Sequence, residues 1–217
     1  MRFSRSESLM HVIIFSWEYP PRIVGQLASY VKTLAGELVK NRVQTYVVTY
    51  HEYLTGGHDD SDGVKTVRVT NSVRTHIGVL TWVLTLNQEV ERAAANVYYD
   101  LGSKVDLIDV HDWHFIPAAV TLKKALGIPF VYSVESLEEH RTHGMNAPFN
   151  MAIKSIEWLG MFEATSLLVK SEWMRDELTR IYKIPVEKVK VVSPESKTWI
   201  KDILGTYRNV AGGGDSA

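Results

Sequence analysis

The chain has 217 residues, of which 45% are hydrophobic and 23% are charged, and its formal net charge is −1. This length and composition are those of one large globular domain, and the balanced charge excludes a general electrostatic attraction to nucleic acid or anionic membranes. Cysteine is absent, which excludes disulfides, thiolate zinc sites and a cysteine nucleophile, and agrees with a reducing compartment.

The two ends of the chain differ in composition from the rest. The opening MRFSRSESLM lacks the apolar core of a signal peptide, and no later stretch has the apolar length of a transmembrane helix. We therefore expect a cytoplasmic protein. Residues 1–9 are predicted to be a polar N-terminal extension, and residues 211–217, AGGGDSA, a flexible tail.

The first predicted elements are a strand, a glycine loop and a helix. HVIIFS (11–16) predicts a buried strand, which Pro20 and Pro21 end because proline cannot continue a hydrogen-bonded ladder. After Gly25 the apolar residues recur at helical spacing through 27–40. The unpaired N–H groups at the start of such a helix favour an anion such as phosphate. However, the chain has no GxGxxG motif, and one glycine here is also an ordinary turn.

Strands and helices alternate along the rest of the chain. A polar loop, HEYLTGGHDDSDG, precedes a half-exposed edge strand, and the helix that begins at Val79 carries an apolar stripe. The alternation predicts right-handed crossovers and a doubly wound, Rossmann-like α/β domain, with a mostly parallel sheet and helices on both faces. The predicted strands are 11–16, 43–50, 64–70, 105–110, 129–134, 166–170 and 189–193; the predicted helices are 27–40, 79–102, 115–127 and 173–182. The stripe comprises Val79, Val83, Leu86, Val90, Ala94, Val97 and Leu101.

Polar residues follow three of these strands, where ligands bind in such sheets. His111-Asp112-Trp113-His114 contains two imidazoles and a carboxylate, but it lacks a third metal ligand and the spacing of a zinc helix. We interpret Asp112 as the N-cap of the helix that starts near Phe115, and His114 as a hydrogen-bonding contact to a polar ligand such as a sugar. A metal site is the less favoured alternative.

Two further polar segments have alternative interpretations. Asp60-Ser61-Asp62 has the spacing by which some sugar-nucleotide enzymes hold a divalent ion, but a solvated turn is the preferred interpretation. The segment 135–144 is dense in ionisable residues. It is either a mobile solvated loop or the rim of a site capable of acid–base chemistry.

The strand-end groups together resemble a known family. WEYPP, IVGQL, HDWH, IEWLGMFEA and SEWMRDEL resemble the N-terminal domain of glycogen and starch synthases and related retaining glycosyltransferases, over most of residues 10–194. The resemblance implies the GT-B architecture, in which two Rossmann-like domains face each other across a cleft. Residues 196–210 resemble the family's terminal helix, which crosses back onto the first domain. We therefore expect residues 10–210 to be a GT-B N-terminal domain with the second domain removed.

The resemblance also implies functional roles. The loop Val24, Gly25, Gln26 and Leu27 would lie under the diphosphate of a sugar nucleotide. The sugar or acceptor would be bound by Asp112, His114, Glu135, Ser136 and Glu138. The family's partners are ADP- or UDP-glucose and a glucan, and the donor-clasping and catalytic groups come from the second domain. No catalytic residue, metal or cofactor is therefore expected in this half.

Three departures from the family pattern weaken the anion site. Gln26 replaces a glycine and adds a side chain where backbone must approach phosphate. Glu135 replaces a histidine, and 28–30 replaces a Gly-Arg-His-like opening of the first helix. We expect weak or no binding of nucleotide sugar and glucan, no turnover by this domain alone, and a homodimer through the former interdomain cleft. The alternative is a natural or designed binding or scaffold domain that keeps the fold without nucleotide-sugar chemistry.

Overall fold

A computed structural model of the protein describes residues 9–59 and 62–213. Its centre is a sheet of eight strands in the order β3-β4-β2-β1-β5-β6-β7-β8, parallel except for β3. The strands are β1 Met10–Ser16, β2 Val43–Tyr50, β3 Gly56–Asp59, β4 Lys65–Val69, β5 Leu107–His111, β6 Phe130–Ser133, β7 Ser166–Val169 and β8 Val189–Val191. The helices are α1 Gln26–Lys40, α2 Val79–Asp100, α3 Ile116–Leu126, α4 Glu138–Arg141, α5 Pro148–Glu163, α6 Glu172–Tyr182 and α7 Trp199–Ala211.

Helices cover both faces of the sheet, which confirms the predicted doubly wound α/β fold. The alternation along β1 shows how one strand supplies both cores: Ile13 and Phe15 pack under α2, α3, α5 and α6, whereas Val12 and Ile14 pack under α1 and α7. Side chains of a strand point to opposite faces in turn, so a continuous apolar run is required when both faces are covered. None of the helices in the described part of the chain is long and apolar enough to cross a lipid bilayer.

The prediction that residues 64–70 form the edge strand of the sheet is wrong. β4 has β3 on its outer side, in an antiparallel pair that places Gly56 opposite Arg68. β3 lies inside the stretch predicted to be a polar loop. Its Gly-Gly start has low strand propensity, and the pairing with β4 that holds it is a tertiary contact that local composition does not report. The stripe of α2 is buried as predicted from Val83 to Val97, but Val79 at its first position is exposed.

The terminal helix α7 lies against α1, β5 and β6. Ile203, Leu204, Tyr207 and Val210 are buried in the same core as α1. The helix begins three residues later than the start of the predicted segment 196–210 and reaches Ala211. It is therefore part of the core on that face of the sheet.

Candidate functional site

The strand order reverses between β1 and β5, which pair with each other in parallel at the centre of the sheet. In a doubly wound sheet the crevice outside the carboxyl ends of such strands is the usual ligand site. The loop that follows β1 and the turn that follows β5 border this crevice. Both were singled out from the sequence.

The loop after β1 is closed by a buried carboxylate that sequence reasoning missed. Oε2 of Glu18 accepts hydrogen bonds from the backbone N–H groups of Val24, at 2.6 Å, and of Gly25, at 2.7 Å. Gly25 is the N-cap of α1 in an extended conformation, and Gln26 is the exposed first residue of the helix. Two of the N–H groups that an anion could use are therefore already satisfied by an internal anion.

His114 is held between two indole rings. Its ring stacks on Trp17 at 4.6 Å between centroids and on Trp113 at 4.4 Å. Asn87, from the middle of α2, fixes the turn by donating to the His114 carbonyl at 2.9 Å. Burial, together with the positive charges of Arg141 and Arg22, lowers the pKa of His114 to about 3. The imidazole is therefore neutral near pH 7, and its Nδ1 has no hydrogen-bond partner among the described residues.

Asp112 sits at the N-cap position of the short turn Trp113–Phe115, but its side chain makes no capping hydrogen bond. The predicted cap contact is therefore wrong. Its backbone adopts φ +64°, and Phe115, which occupies the N-cap position of α3, also makes no capping hydrogen bond with its side chain. Burial raises the pKa of Asp112 to about 7, against the opposing charge of Arg141. Oδ1 of Asp112 finds no hydrogen-bond partner in the described structure, although Nη1 of Arg141 lies 3.9 Å away.

Arg141 holds the segment after β6, residues 135–144, against the crevice. This side chain donates to Ser136 Oγ at 2.5 Å and to Glu157 Oε1 at 2.7 Å, and it pairs with Glu138 at 3.1 Å. Glu138 is buried and accepts from Asn150 at 2.8 Å. The solvated-loop interpretation is therefore wrong for Glu138–Arg141, which forms the helix α4 at the rim of the crevice.

Glu135 belongs to a charged cluster formed by Tyr30, His111, Glu135 and Lys170. Its carboxylate lies 3.0 Å from Nδ1 of His111 and forms an ion pair with Lys170. Burial would raise the pKa of Glu135, but His111 and Lys170 hold it below the usual value. Nζ of Lys170 also lies 3.8 Å from the Tyr30 ring. Glu135 is therefore not an isolated anion as expected, because two cations neutralise it.

The charged cluster leaves little space for a ligand. The cavity that it borders has a volume of about 10 Å³ and is completed by Ile203 from α7. A volume of this size holds at most one water molecule.

A buried carboxylate connects this cluster to the terminal helix. Oδ2 of Asp109 lies 3.1 Å from Nε2 of His111 and accepts from the Tyr207 hydroxyl, while Oδ1 accepts from Ser133 Oγ at 2.7 Å. Burial alone would lower the pKa of His111, but Asp109 and Glu135 raise it to about 9. The imidazole is therefore charged at neutral pH. The one sequence signal for this network is an aspartate inside an otherwise apolar strand.

The predicted site residues fall into three groups at the carboxyl edge of the sheet, of which Glu135, in the charged cluster, is one. Arg141 connects the first group, Asp112, Ser136 and Glu138, and stacking on Trp17 connects His114 to the loop after β1. The second group is Val24, Gly25, Gln26 and Leu27, at the start of α1. Asp60 and Ser61 of the Asp-x-Asp segment lie outside the described residues. Over residues 9–59 and 62–213, no group of three or more His, Asp or Glu side chains is placed to hold a metal ion.

Comparisons with known proteins identify the family of the chain. A family model described as Glycosyltransferase Family 4 matches residues 27–194. An uncharacterized glycosyltransferase from Methanocaldococcus jannaschii is 34% identical over 196 residues, which are 89% of this chain and 48% of that protein. A glycogen synthase from Mycobacterium tuberculosis is 24% identical over 200 residues, 84% of this chain and 47% of that enzyme. The chain thus spans about half the length of the curated relatives it matches.

One solved structure is similar to this chain over almost the whole length of both chains. It is a chain made of two segments of sucrose-phosphate synthase from Thermosynechococcus elongatus, with a TM-score of 0.68 and 13% sequence identity. The match covers 94% of this chain and 98% of that one. At this identity the likeness establishes a shared fold only.

Proposed function

Since the chain belongs to glycosyltransferase family 4, we propose that it is the N-terminal, acceptor-side domain of a glycogen-synthase-like enzyme. The reaction of the whole enzyme would be glucosyl transfer from a nucleotide sugar to a glucan, and this domain alone would not catalyse it. Residues 10–210, including the terminal helix 196–210, form the proposed domain. The coverage of about half of each curated relative supports this assignment.

One observation carries the proposal: two buried side chains at the switch point have unpaired polar atoms. Nδ1 of the neutral His114 and Oδ1 of Asp112 make no hydrogen bond in the described structure, although they lie 3.7 Å from Asp112 Oδ2 and 3.9 Å from Arg141 Nη1, respectively. Leaving such groups unpaired costs about 1–3 kcal/mol each, and a ligand hydroxyl that displaced the side chains covering these two atoms would recover that energy. A sugar fits this chemistry because each hydroxyl both donates and accepts. Ser136 and Glu138 would complete the sugar site through Arg141, which connects both to Asp112.

The contacts on the donor side of the crevice support the proposal that a nucleotide sugar binds only weakly. Glu18 occupies the N–H groups of Val24 and Gly25, and Gln26 adds a side chain at the next position. Tyr30 and the Glu135–Lys170 pair fill the neighbouring space. Electrostatic stabilisation of a leaving diphosphate is a major catalytic term in such a transfer. The donor-clasping groups would come mainly from the second domain, and the backbone N–H groups of Val24 and Gly25 that this chain could add are already engaged by Glu18.

Titration with ligands tests this proposal. We expect ADP-glucose and UDP-glucose to bind more weakly than about 1 mM, a level worth about 4 kcal/mol. Maltoheptaose should bind weakly but measurably by NMR, and His114→Ala should abolish its shifts because the unpaired ring nitrogen is gone. The exposed His58→Ala is the matched control. Micromolar nucleotide-sugar binding, or unchanged maltoheptaose shifts in His114→Ala, would contradict the proposal.

We also propose that the domain self-associates through the former interdomain cleft. Apolar side chains are exposed on loops that follow β1, β2 and β4 at the carboxyl edge of the sheet, including Ile23, Tyr53 and Ile77. An apolar surface of this kind marks an interaction site. Light scattering should show a dimer that Ile23→Glu with Ile77→Glu dissociates, whereas Tyr99→Glu on α2 leaves it intact. A strict monomer at millimolar concentration would refute this part.

A further inference from the structure

An exposed indole lies at the same edge of the sheet as the proposed sugar site. Trp173, in the first turn of α6, directly follows the carboxyl end of β7, and 59% of its surface is exposed. We propose that Trp173 and His140 form a platform on which a second sugar unit of a glucan stacks. This inference rests on the proposed function, since it assigns a further subsite for the same acceptor.

The indole is held in place by its neighbours. Its ring lies 4.9 Å from that of His140, with 31° between the planes. Nε2 of His140 lies 2.7 Å from Oε2 of Glu177, and Arg180 holds Glu177 through two contacts of 2.7 Å. An aromatic face that is already ordered loses little conformational entropy when a ligand binds. The apolar face of a pyranose ring matches such a surface in size and shape.

The platform and the proposed sugar site, which is called the sugar pocket below, lie on two sides of α4. His140 and Arg141 are consecutive residues of this helix: His140 contacts Trp173, whereas Arg141 reaches Asp112 and Glu157. Consecutive Cα atoms are about 3.8 Å apart, so the two binding surfaces are separated by little more than the helix itself. A ligand that contacts both must be longer than one sugar unit, which fits an oligosaccharide and not a single glucose.

Charged groups near the indole could bind the sugar hydroxyls. Glu172 precedes Trp173, has a side chain that is 65% exposed, and pairs with Arg175. Lys170, from the charged cluster, lies three residues before Trp173 and is 39% exposed. A sugar is amphipathic: the apolar face of its ring can stack on the indole, while the hydroxyls at the edge of its ring form hydrogen bonds with these charged groups.

The chain provides a matched control in a second exposed tryptophan. Trp158 on α5 is 47% exposed, but it stacks on Phe162 at 5.2 Å. Among the described residues, no hydrogen bond or ring contact joins the Trp158 side chain itself to α4. Replacing either indole removes a similar exposed surface. A difference in glucan affinity between the two variants therefore reflects where each indole lies.

The test compares affinity for two ligands, glucose and maltoheptaose, by NMR titration of the full chain. We expect Trp173→Ala to weaken maltoheptaose binding about tenfold while glucose affinity stays unchanged, because only the longer ligand reaches the platform. Trp158→Ala should leave both affinities unchanged. Equal thermal midpoints would confirm that both variants are folded.

The remaining outcomes separate this inference from the proposed function. If His114→Ala abolishes maltoheptaose binding and Trp173→Ala does not weaken it, the platform is wrong and the sugar pocket stands. If both tryptophan variants lose affinity equally, the effect is unspecific and the platform is also wrong. If the unaltered chain binds neither glucose nor maltoheptaose, both the platform and the proposed sugar site are overturned.

Discussion

Ending the chain at Thr198, so that α7 is absent, is expected to abolish cooperative folding at 25 °C. The helix buries Ile203, Leu204, Tyr207 and Val210 against the sheet and α1. Four buried side chains of this size contribute roughly 8 kcal/mol, which is comparable to the whole stability of a typical domain. The deletion would also expose the apolar residues of α1 and the sheet that α7 covers. Circular dichroism during urea titration would measure the loss.

Two further variants separate packing from hydrogen bonding. Tyr207→Phe keeps the ring but removes the hydroxyl that donates to Asp109. We expect it to lower the free energy of unfolding by about 1–3 kcal/mol, because a buried carboxylate loses one partner. Ending the chain at Gly213 removes only the tail and should leave the urea midpoint unchanged. A cooperative transition at the normal midpoint in the Thr198 variant would show that α7 is dispensable.

The parts of the fold that were predicted from sequence are those with strong local patterns. β2 was predicted at its observed bounds because its apolar, β-branched residues are continuous along the chain. β3 was missed because its glycines have little strand propensity and the pairing with β4 decides its state. Local pattern thus identifies an element where burial is continuous and fails where a tertiary contact decides.

The candidate site shows the same division. Asp112 and His114 could be found because polar residues directly follow a strand in a predicted parallel sheet. The partners that set their chemistry could not be found: Arg141 approaches from α4, and Asn87 approaches from α2. Tyr207 and Asp109 are 98 residues apart in sequence. No spacing rule connects residues at such a distance, and only the folded chain brings them together.

The charged cluster distinguishes the proposed donor side of the crevice from the proposed acceptor side. On the proposed acceptor side, Asp112 and His114 each retain an atom without a hydrogen bond, whereas on the proposed donor side Glu135 and Lys170 pair with each other. A buried ion pair is costly to break, because each partner left alone is an uncompensated charge. A diphosphate would have to displace Glu135 from both of its cations. A variant designed to strengthen donor binding would therefore need more than a glycine at position 26.

Raising the pH from 6 to 10 is expected to lower the free energy of unfolding by about 3 kcal/mol through His111 alone. Its pKa is about 9 in the folded protein, against an ordinary value of 6.5. The folded state therefore binds the proton more tightly than the unfolded chain does. The stabilisation is fully present below pH 6.5 and is lost as the pH rises through about 9.

Urea titrations at several pH values would measure this loss, and a pair of histidine variants would assign it. His111→Gln should be less stable at pH 6 and should lack the His111 component of the slope, because glutamine has no titrating proton. His58→Gln, at an exposed position on β3, should keep the slope of the unaltered chain. Other groups also titrate near pH 10, so the difference between the two variants is the quantity to compare. If His111→Gln lost stability with pH as steeply as His58→Gln, the proton on His111 would not hold Asp109 and Glu135 together.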